Sequence, residues 1–243
     1  MVLLAFEGVT KRYLDLGVRE QVVLDRVSFT IDAGSSLGLW GLRRSGKSTL
    51  LRIAAGIELP DEGIVRFEGR DITKLSDRER ARLVRTKIGL APSSWRETRN
   101  VPVVEHVALP LLSGGARMRQ ACPAAREALE RVGATSRADV PVFDLSPGER
   151  TRVAIARALV REPTLLLVDE PGLTPSPTER DEIYALLRSL AGQRGLTIVV
   201  ASEDLAAIRT ARQALTISDG TLRSSQRPGR VVPFPEDRAR RGG

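Results

Sequence analysis

The stretch SLGLWGLRRSGKSTLLRIAAGI, residues 36–57, decides the fold. Within it, Gly41-Leu42-Arg43-Arg44-Ser45-Gly46-Lys47-Ser48 matches G-x-x-x-x-G-K-S/T and runs on into Thr49. An apolar strand, SLGLW, precedes the match and a helix-forming run follows, the context a phosphate-binding loop requires. Glycines let the backbone fold around an anion, N–H groups and the helix N-terminus face it, Lys47 adds a point charge, and Ser48 can ligate Mg2+. At ordinary residue frequencies such a match arises by chance about once in a hundred chains of this length. The correct flanks make chance rarer still.

A second element belongs with the loop. Leu165-Leu166-Leu167-Val168-Asp169-Glu170 is an apolar strand ending in two acids, and ligands of open α/β sheets gather at the carboxyl ends of strands. Asp169 is the candidate to hold Mg2+, and Glu170 the candidate to polarise an attacking water. Acids at a strand end are weak evidence alone, but joined to the phosphate loop they are strong.

The rest of the chain fits the same plan. Val27, Phe29 and Ile31 alternate with Ser28 and Thr30, the period of a sheet with one buried face, and Asp32-Ala33-Gly34 closes it as a turn. Beyond SLGLW, short continuous apolar runs (165–168, 198–201, 214–217) alternate with helical patterns, as in a parallel sheet covered on both faces. Capping residues followed by acids predict helix starts at Ser76 with Glu79, Ser146 with Glu149, Ser176 with Glu179, and Ser202 with Glu203 and Asp204. Ile183, Leu186, Leu187 and Leu190 mark the inner face of the helix after Ser176.

At 243 residues the chain has room for one architectural unit with subdomains. No run approaches ~18 consecutive apolar residues, and the start lacks the marks of a secretory signal, so a cytoplasmic chain is expected. Cys122 is the single cysteine and stands without metal-ligand spacing to another Cys or His. The formal charge is +8. Half of that excess lies in the Arg-rich segment from Leu222 to Gly243, read as a poorly ordered, solvated tail, with anionic lipid contact the alternative.

Between the two halves of the phosphate site stands Leu145-Ser146-Pro147-Gly148-Glu149, followed by RTRVAIARALVREP. On these residues the sequence resembles the ATP-binding cassettes of ABC transporters over about residues 2–223. The resemblance also rests on Tyr13, placed like the adenine-stacking aromatic, on the phosphate loop, on LSPGE in place of LSGGE or LSGGQ, and on LLLVDEP. HVALPLLSGGA, residues 106–116, further resembles the lipoprotein-releasing and macrolide-exporter type.

The resemblance implies an α/β P-loop NTPase core with a parallel sheet, an N-terminal antiparallel β subdomain and an inserted α-helical subdomain. Cassette residues would be 1–223, with the helical part at about 92–160 and a basic tail at 224–243. ATP and Mg2+ would be bound by Tyr13, Gly41, Arg44, Ser45, Gly46, Lys47, Ser48 and Thr49, with Ser48 and Asp169 on the metal. Glu170 and Lys47 would be catalytic, while Ser146, Gly148 and Glu149 would complete the site of a second cassette facing head to tail. The partners implied are a transmembrane permease, which brings the chain to the cytoplasmic side of the membrane as a peripheral subunit, and that second cassette, preferably of a different chain. Nucleic acid is not expected, because the family's translation and repair members carry two cassettes or long inserts.

Four positions depart from the family. Ser93 stands where a Gln links Mg2+ and the attacking water to the permease contact. Glu203 stands where a His bonds the γ-phosphate, and the only histidine, His106, is far away in sequence. Ser176 replaces the dimer-contact Asp and Pro147 a signature glycine. A carboxylate about 4 Å from a γ-phosphate oxygen would cost ~4 kcal/mol per charge pair at an effective dielectric of 20. Arg43 and Arg44 replace small residues and either offset that charge or are solvated. Slow turnover at this chain's own site is therefore expected.

Overall fold

The computed structural model describes residues 1–15, 19–95, 100–193 and 195–224. The expected basic tail lies outside them, apart from Ser224.

The chain opens with a long hairpin, β1 (Val2–Asp15) and β2 (Arg19–Asp32), then β3 (Ser36–Trp40), α1 (Lys47–Ala54), β4 (Glu62–Phe67), β5 (Arg70–Asp71), α2 (Asp77–Lys87) and β6 (Ile88–Ala91). A helical stretch follows: α3 (Val103–Ser113), α4 (Met118–Arg131), 3-10 turns at Thr135–Arg137 and Val142–Asp144, and α5 (Pro147–Leu159). The chain continues through β7 (Leu165–Asp169), α6 (Pro177–Ala191), β8 (Thr197–Ser202), α7 (Leu205–Ile208), β9 (Gln213–Ser218) and β10 (Thr221–Ser224).

Two sheets result. One is antiparallel, in the order β2-β1-β4-β5, and the other runs β10-β9-β3-β8-β7-β6 with only the β10 edge antiparallel. Two of the three strands that read as continuous apolar runs, β7 and β8, are buried along their whole length, whereas β9 is mostly half-buried with only Ile217 buried, because it lies next to the β10 edge. In β7, Leu165 and Leu167 join one core with α1 and the antiparallel sheet, while Leu166 and Val168 join the other with α3, α4, α5 and α6. In β8, Val199 and Ala201 face the first core, and Ile198 and Val200 face the second. In β2, Val27 and Ile31 are buried between exposed Ser28 and Thr30, the half-buried alternation expected of a sheet with one covered face.

Parallel β3, β8 and β7 lie side by side, so their carboxyl ends meet at one edge of the sheet. Trp40 pairs with Ser202, and Asp169 with Ala201. That alignment brings together residues far apart in sequence.

The predicted starts at Ser76, Ser146 and Ser176 are all observed as complete capping boxes. The start expected at Ser202 is not. Ser202 closes β8, and Asp204 caps α7 by accepting from the Ala206 amide. Ser202's hydroxyl instead donates to Glu170 and accepts from the Asp204 amide, so it shapes the turn into α7 but does not cap the helix.

Candidate functional site

The loop after β3 turns sharply before α1. Gly46 has φ 103°, and a Cβ there would lie 2.7 Å from the Val23 carbonyl, so the position needs glycine on both counts. Arg44 also has a positive φ, 62°, without being glycine; such a residue carries ~1–2 kcal/mol of local strain. Gly46 offers no side-chain cap to α1, which leaves its first-turn amides available to an anion. Lys47 is only 5% exposed. Its Nζ donates to the carbonyls of Gly41 at 2.6 Å and Leu42 at 2.8 Å, and stands 3.1 Å from Glu170 Oε1.

Asp169, the last residue of β7, is 8% exposed, and burial pushes its carboxyl above the ordinary range while a hydrogen bond from Ser48 pulls the other way. Its Oδ1 has no protein partner, and neither has the buried hydroxyl of Ser45. A buried carboxylate oxygen without a donor, beside a serine hydroxyl, fits a hard cation that takes its remaining ligands from phosphate and water. Among the described residues, no group of three or more His, Cys, Asp or Glu gathers to hold a metal unaided.

Glu170 follows with φ 46°, an αL backbone that turns its side chain back over the sheet edge. Its Oε2 accepts from Ser202 Oγ and from the Glu203 amide, both at 3.1 Å, while its own N–H donates to Ala201 O at 2.8 Å. Sequence reasoning missed Ser202 as the anchor of Glu170. It also missed Trp40, whose Nε1 donates to Glu203 O at 3.0 Å. Glu203 is therefore fixed through both backbone groups beside the acid pair.

The other candidates fall into place around this centre. Tyr13 reaches α1: its hydroxyl donates to Glu58, accepts from Arg52 at 3.2 Å and approaches Thr49 Oγ1 at 3.4 Å. Ser93 lines a small crevice together with Thr151, Asp169 and Glu170. His106 is buried in α3 against Trp95, ring centroids 4.4 Å apart, and so belongs to the helical layer. Arg43 and Arg44 are exposed.

Ser146, Gly148 and Glu149 form a second cluster at the start of α5. Ser146 caps the helix by accepting from Glu149 N at 3.2 Å, and Glu149 returns the bond to Ser146 N at 2.9 Å. Among the described residues, no hydrogen bond or ion pair joins this cluster to Lys47, Asp169 or Glu170. Sequence reasoning missed its fourth participant, Glu179 of α6. That carboxylate accepts from the Ser146 hydroxyl and, at 3.2 Å, from Gly148 N.

A doubly covered parallel sheet with a phosphate loop and acids at adjoining strand ends defines a P-loop nucleoside triphosphatase. The ABC transporter family model matches residues 24–172, more than half of the chain, and the chain belongs to that family. Among solved structures, a dimeric MJ0796, a bacterial ABC transporter cassette, is similar at 28% identity and a TM-score of 0.85, covering 93% of this chain and 99% of that one. A second dimeric MJ0796 structure, in a post-hydrolysis state and bound to ADP and Pi, gives the same values. The cbiO1 protein of Clostridium perfringens, part of the ABC transporter complex cbiONQ, is similar at 25% identity and a TM-score of 0.80, covering 93% and 89% of the two chains. Membership in this family implies ATPase activity.

Proposed function

We propose that the chain is the ATP-binding and ATP-hydrolysing subunit of a membrane transporter, of exporter or lipid-extracting type, that energises a separate permease. The observation that carries the reading is the buried Lys47 ammonium shared between the loop carbonyls and Glu170, beside the Asp169 and Ser48 pair. Triphosphate entering the loop offers Lys47 a stronger anion than a single carboxylate. Lys47 then turns from Glu170 to the β and γ phosphates, and Glu170 Oε1 is released toward water while Ser202 and the Glu203 amide keep Oε2 in place. Water attacks the γ-phosphorus, the bond to the β-phosphate oxygen breaks, and Glu170 orients the water and takes up its proton. Ser48 and Asp169 would hold Mg2+, which supplies charge neutralisation on the phosphates. Tyr13 would stack on the base, and Gly41, Arg44, Ser45, Gly46 and Thr49 would line the phosphates. Ser146, Gly148 and Glu149 would act on the ATP of a facing cassette.

The cassette would span residues 1–223, with its helical subdomain at about 92–160. None of the helices among the described residues is long and apolar enough to cross a membrane, which supports attachment through a permease. An open cavity of about 560 Å³ at the ends of α2 and α3 is lined by Arg82, Arg85 and Arg161, with no acid in its lining among the described residues. Its charge suits an acidic segment of such a partner.

A second reading is favoured by Glu203 and by the other departures at Ser93, Ser176 and Pro147. In it the chain holds ATP and transmits motion, and a better-equipped cassette performs most of the hydrolysis. Calorimetry with MgATP tests the common ground. Lys47→Ala is expected to weaken binding about 10- to 100-fold, the worth of one charged hydrogen-bonding group, with an unchanged far-UV spectrum. Equal affinity in the two proteins would remove Lys47 from the phosphate site.

A further inference from the structure

The donors at the start of α5 can be counted. Pro147 is the first residue of the helix and has no N–H to give. The Glu149 amide is taken by the Ser146 side chain. Two donors remain, the Ser146 hydroxyl and the Gly148 amide, and both point at one atom, Oε1 of Glu179. The other oxygen, Oε2, accepts from the amide and hydroxyl of Ser176 at 3.0 and 2.9 Å, in α6's own capping box. A single carboxylate thus serves two helix starts 30 positions apart in sequence.

The fit is tight. A Cβ on Gly148 would lie 2.6 Å from Glu179 Oε1 and 2.7 Å from its Cβ and Cδ, so the glycine makes the room that the carboxylate fills. A hydroxyl and an amide at a helix N-terminus form an anion site, and here the anion comes from within the chain. Four hydrogen bonds hold the carboxylate, two from the α5 start and two from Ser176, and the Ser176 hydroxyl in turn accepts from the Glu179 amide.

We propose that Glu179 is a built-in plug of the α5 anion site, holding the place of a phosphate group and leaving only when a facing copy delivers one. The proposal rests on the reading given above, in which Ser146 and Gly148 act on a nucleotide held by another cassette. That nucleotide finds no free donor on α5 while Glu179 is seated, and meets a negative charge besides. Glu179 needs only a side-chain rotation to clear the site, because Ser176 can keep its Oε2 as Oε1 swings away. The plug thus sets a threshold on nucleotide-driven closure of two cassettes. It also links the start of α6, where a dimer contact is expected, to the start of α5.

The test uses the full chain carrying Glu170→Gln, so that bound ATP persists, with and without Glu179→Ala or the conservative Glu179→Gln. Monomer binding of MgATP is measured by calorimetry, and ATP-dependent dimerisation by sedimentation velocity. Expected are monomer affinities equal within about twofold, and a dimerisation midpoint at least tenfold lower in ATP for the alanine variant, with glutamine in between because it keeps an acceptor but not the charge. Thermal midpoints taken alongside report the loss of the α5–α6 tie. Intact ATP binding with an unchanged, raised or absent dimerisation midpoint in both Glu179 variants would overturn the plug alone and leave Glu179 a structural tie. Absence of ATP binding in every protein would overturn the plug together with the reading beneath it.

Discussion

Lys47 is a desolvated cation held by three oxygens. An ammonium this buried would be costly if left bare, and the carbonyls of Gly41 and Leu42 with Glu170 offset that cost. In the function proposed above, phosphate binding would exchange one anionic partner of Lys47 for another and would not create a charge pair from nothing. Glu179 is half-buried and is held firmly ionised. Hydrogen bonds from Ser146, Ser176 and Gly148 bring its carboxyl down from 4.5 to about 2. The direction fixes the sign of the pH effect. A depressed folded value means that the stabilisation is fully present above the ordinary value of 4.5 and is lost as pH falls through the window down to about 2. Glu58, Asp61, Asp71 and Glu79 are lowered too, so wild type alone does not isolate the effect. Urea midpoints measured from pH 5 to pH 2.5 in wild type and Glu179→Gln are expected to converge as the pH drops. Parallel curves would show that Glu179 is not ionised through these bonds.

Among the described residues, three helices begin with the same Ser–Glu box, yet the boxes differ in what else they touch. At α2, Ser76 and Glu79 bond each other and Arg70 reaches Glu79 at 2.8 Å, all on an exposed surface. At α5 and α6 the caps are joined through Glu179. Ser76→Ala is therefore expected to cost ~1 kcal/mol of stability and to leave ATPase activity unchanged. Ser146→Ala is expected to cost a similar amount and also to lower ATPase activity in the assembled pair. Paired denaturation curves and ATPase assays check both, and an equal activity loss at Ser76 would contradict the distinction. The same elements explain what could be read in advance. Periodicity exposed β2 and α6, and continuous apolar runs exposed β7 and β8, because both signals follow directly from which faces are covered. Capping boxes are local over four residues and were equally legible. The link from Glu179 to Ser146 spans 33 positions and follows from packing α6 beside α5, so spacing gave only its local half. Ser202 misled for a related reason. Two acids after a serine look like a cap, and only the pairing of β8 with β7 turns that hydroxyl toward Glu170.

At the scale of the whole molecule, the two clusters of functional residues are on different elements of one chain. Lys47, Asp169 and Glu170 gather at the sheet edge, whereas Ser146, Gly148 and Glu149 start a helix of the other layer. A site needing both would draw them from two copies, and MJ0796 is dimeric in both structures to which this chain is similar. In the second reading proposed above, the two halves are not equally equipped. On the phosphate-loop side, Ser93 lines the crevice beside the acid pair where a Gln would be expected, and Glu203 is held there by Trp40 and Glu170. On the signature side, Ser146, Gly148 and Glu149 are intact once Glu179 withdraws. A homodimer would carry the weakened loop side twice, while a pair with a different cassette keeps one well-equipped site completed by this chain's α5. The expectation is a heterodimer in which neutralising the partner's catalytic carboxylate lowers ATPase activity more than Glu170→Gln does here. Steady-state ATPase assays on the reconstituted complex, with each substitution made singly, decide it. Purification of a homodimer on its permease, with Glu170→Gln abolishing vigorous hydrolysis, would show that Ser93 and Glu203 are compatible with full turnover and that the two sites are equivalent.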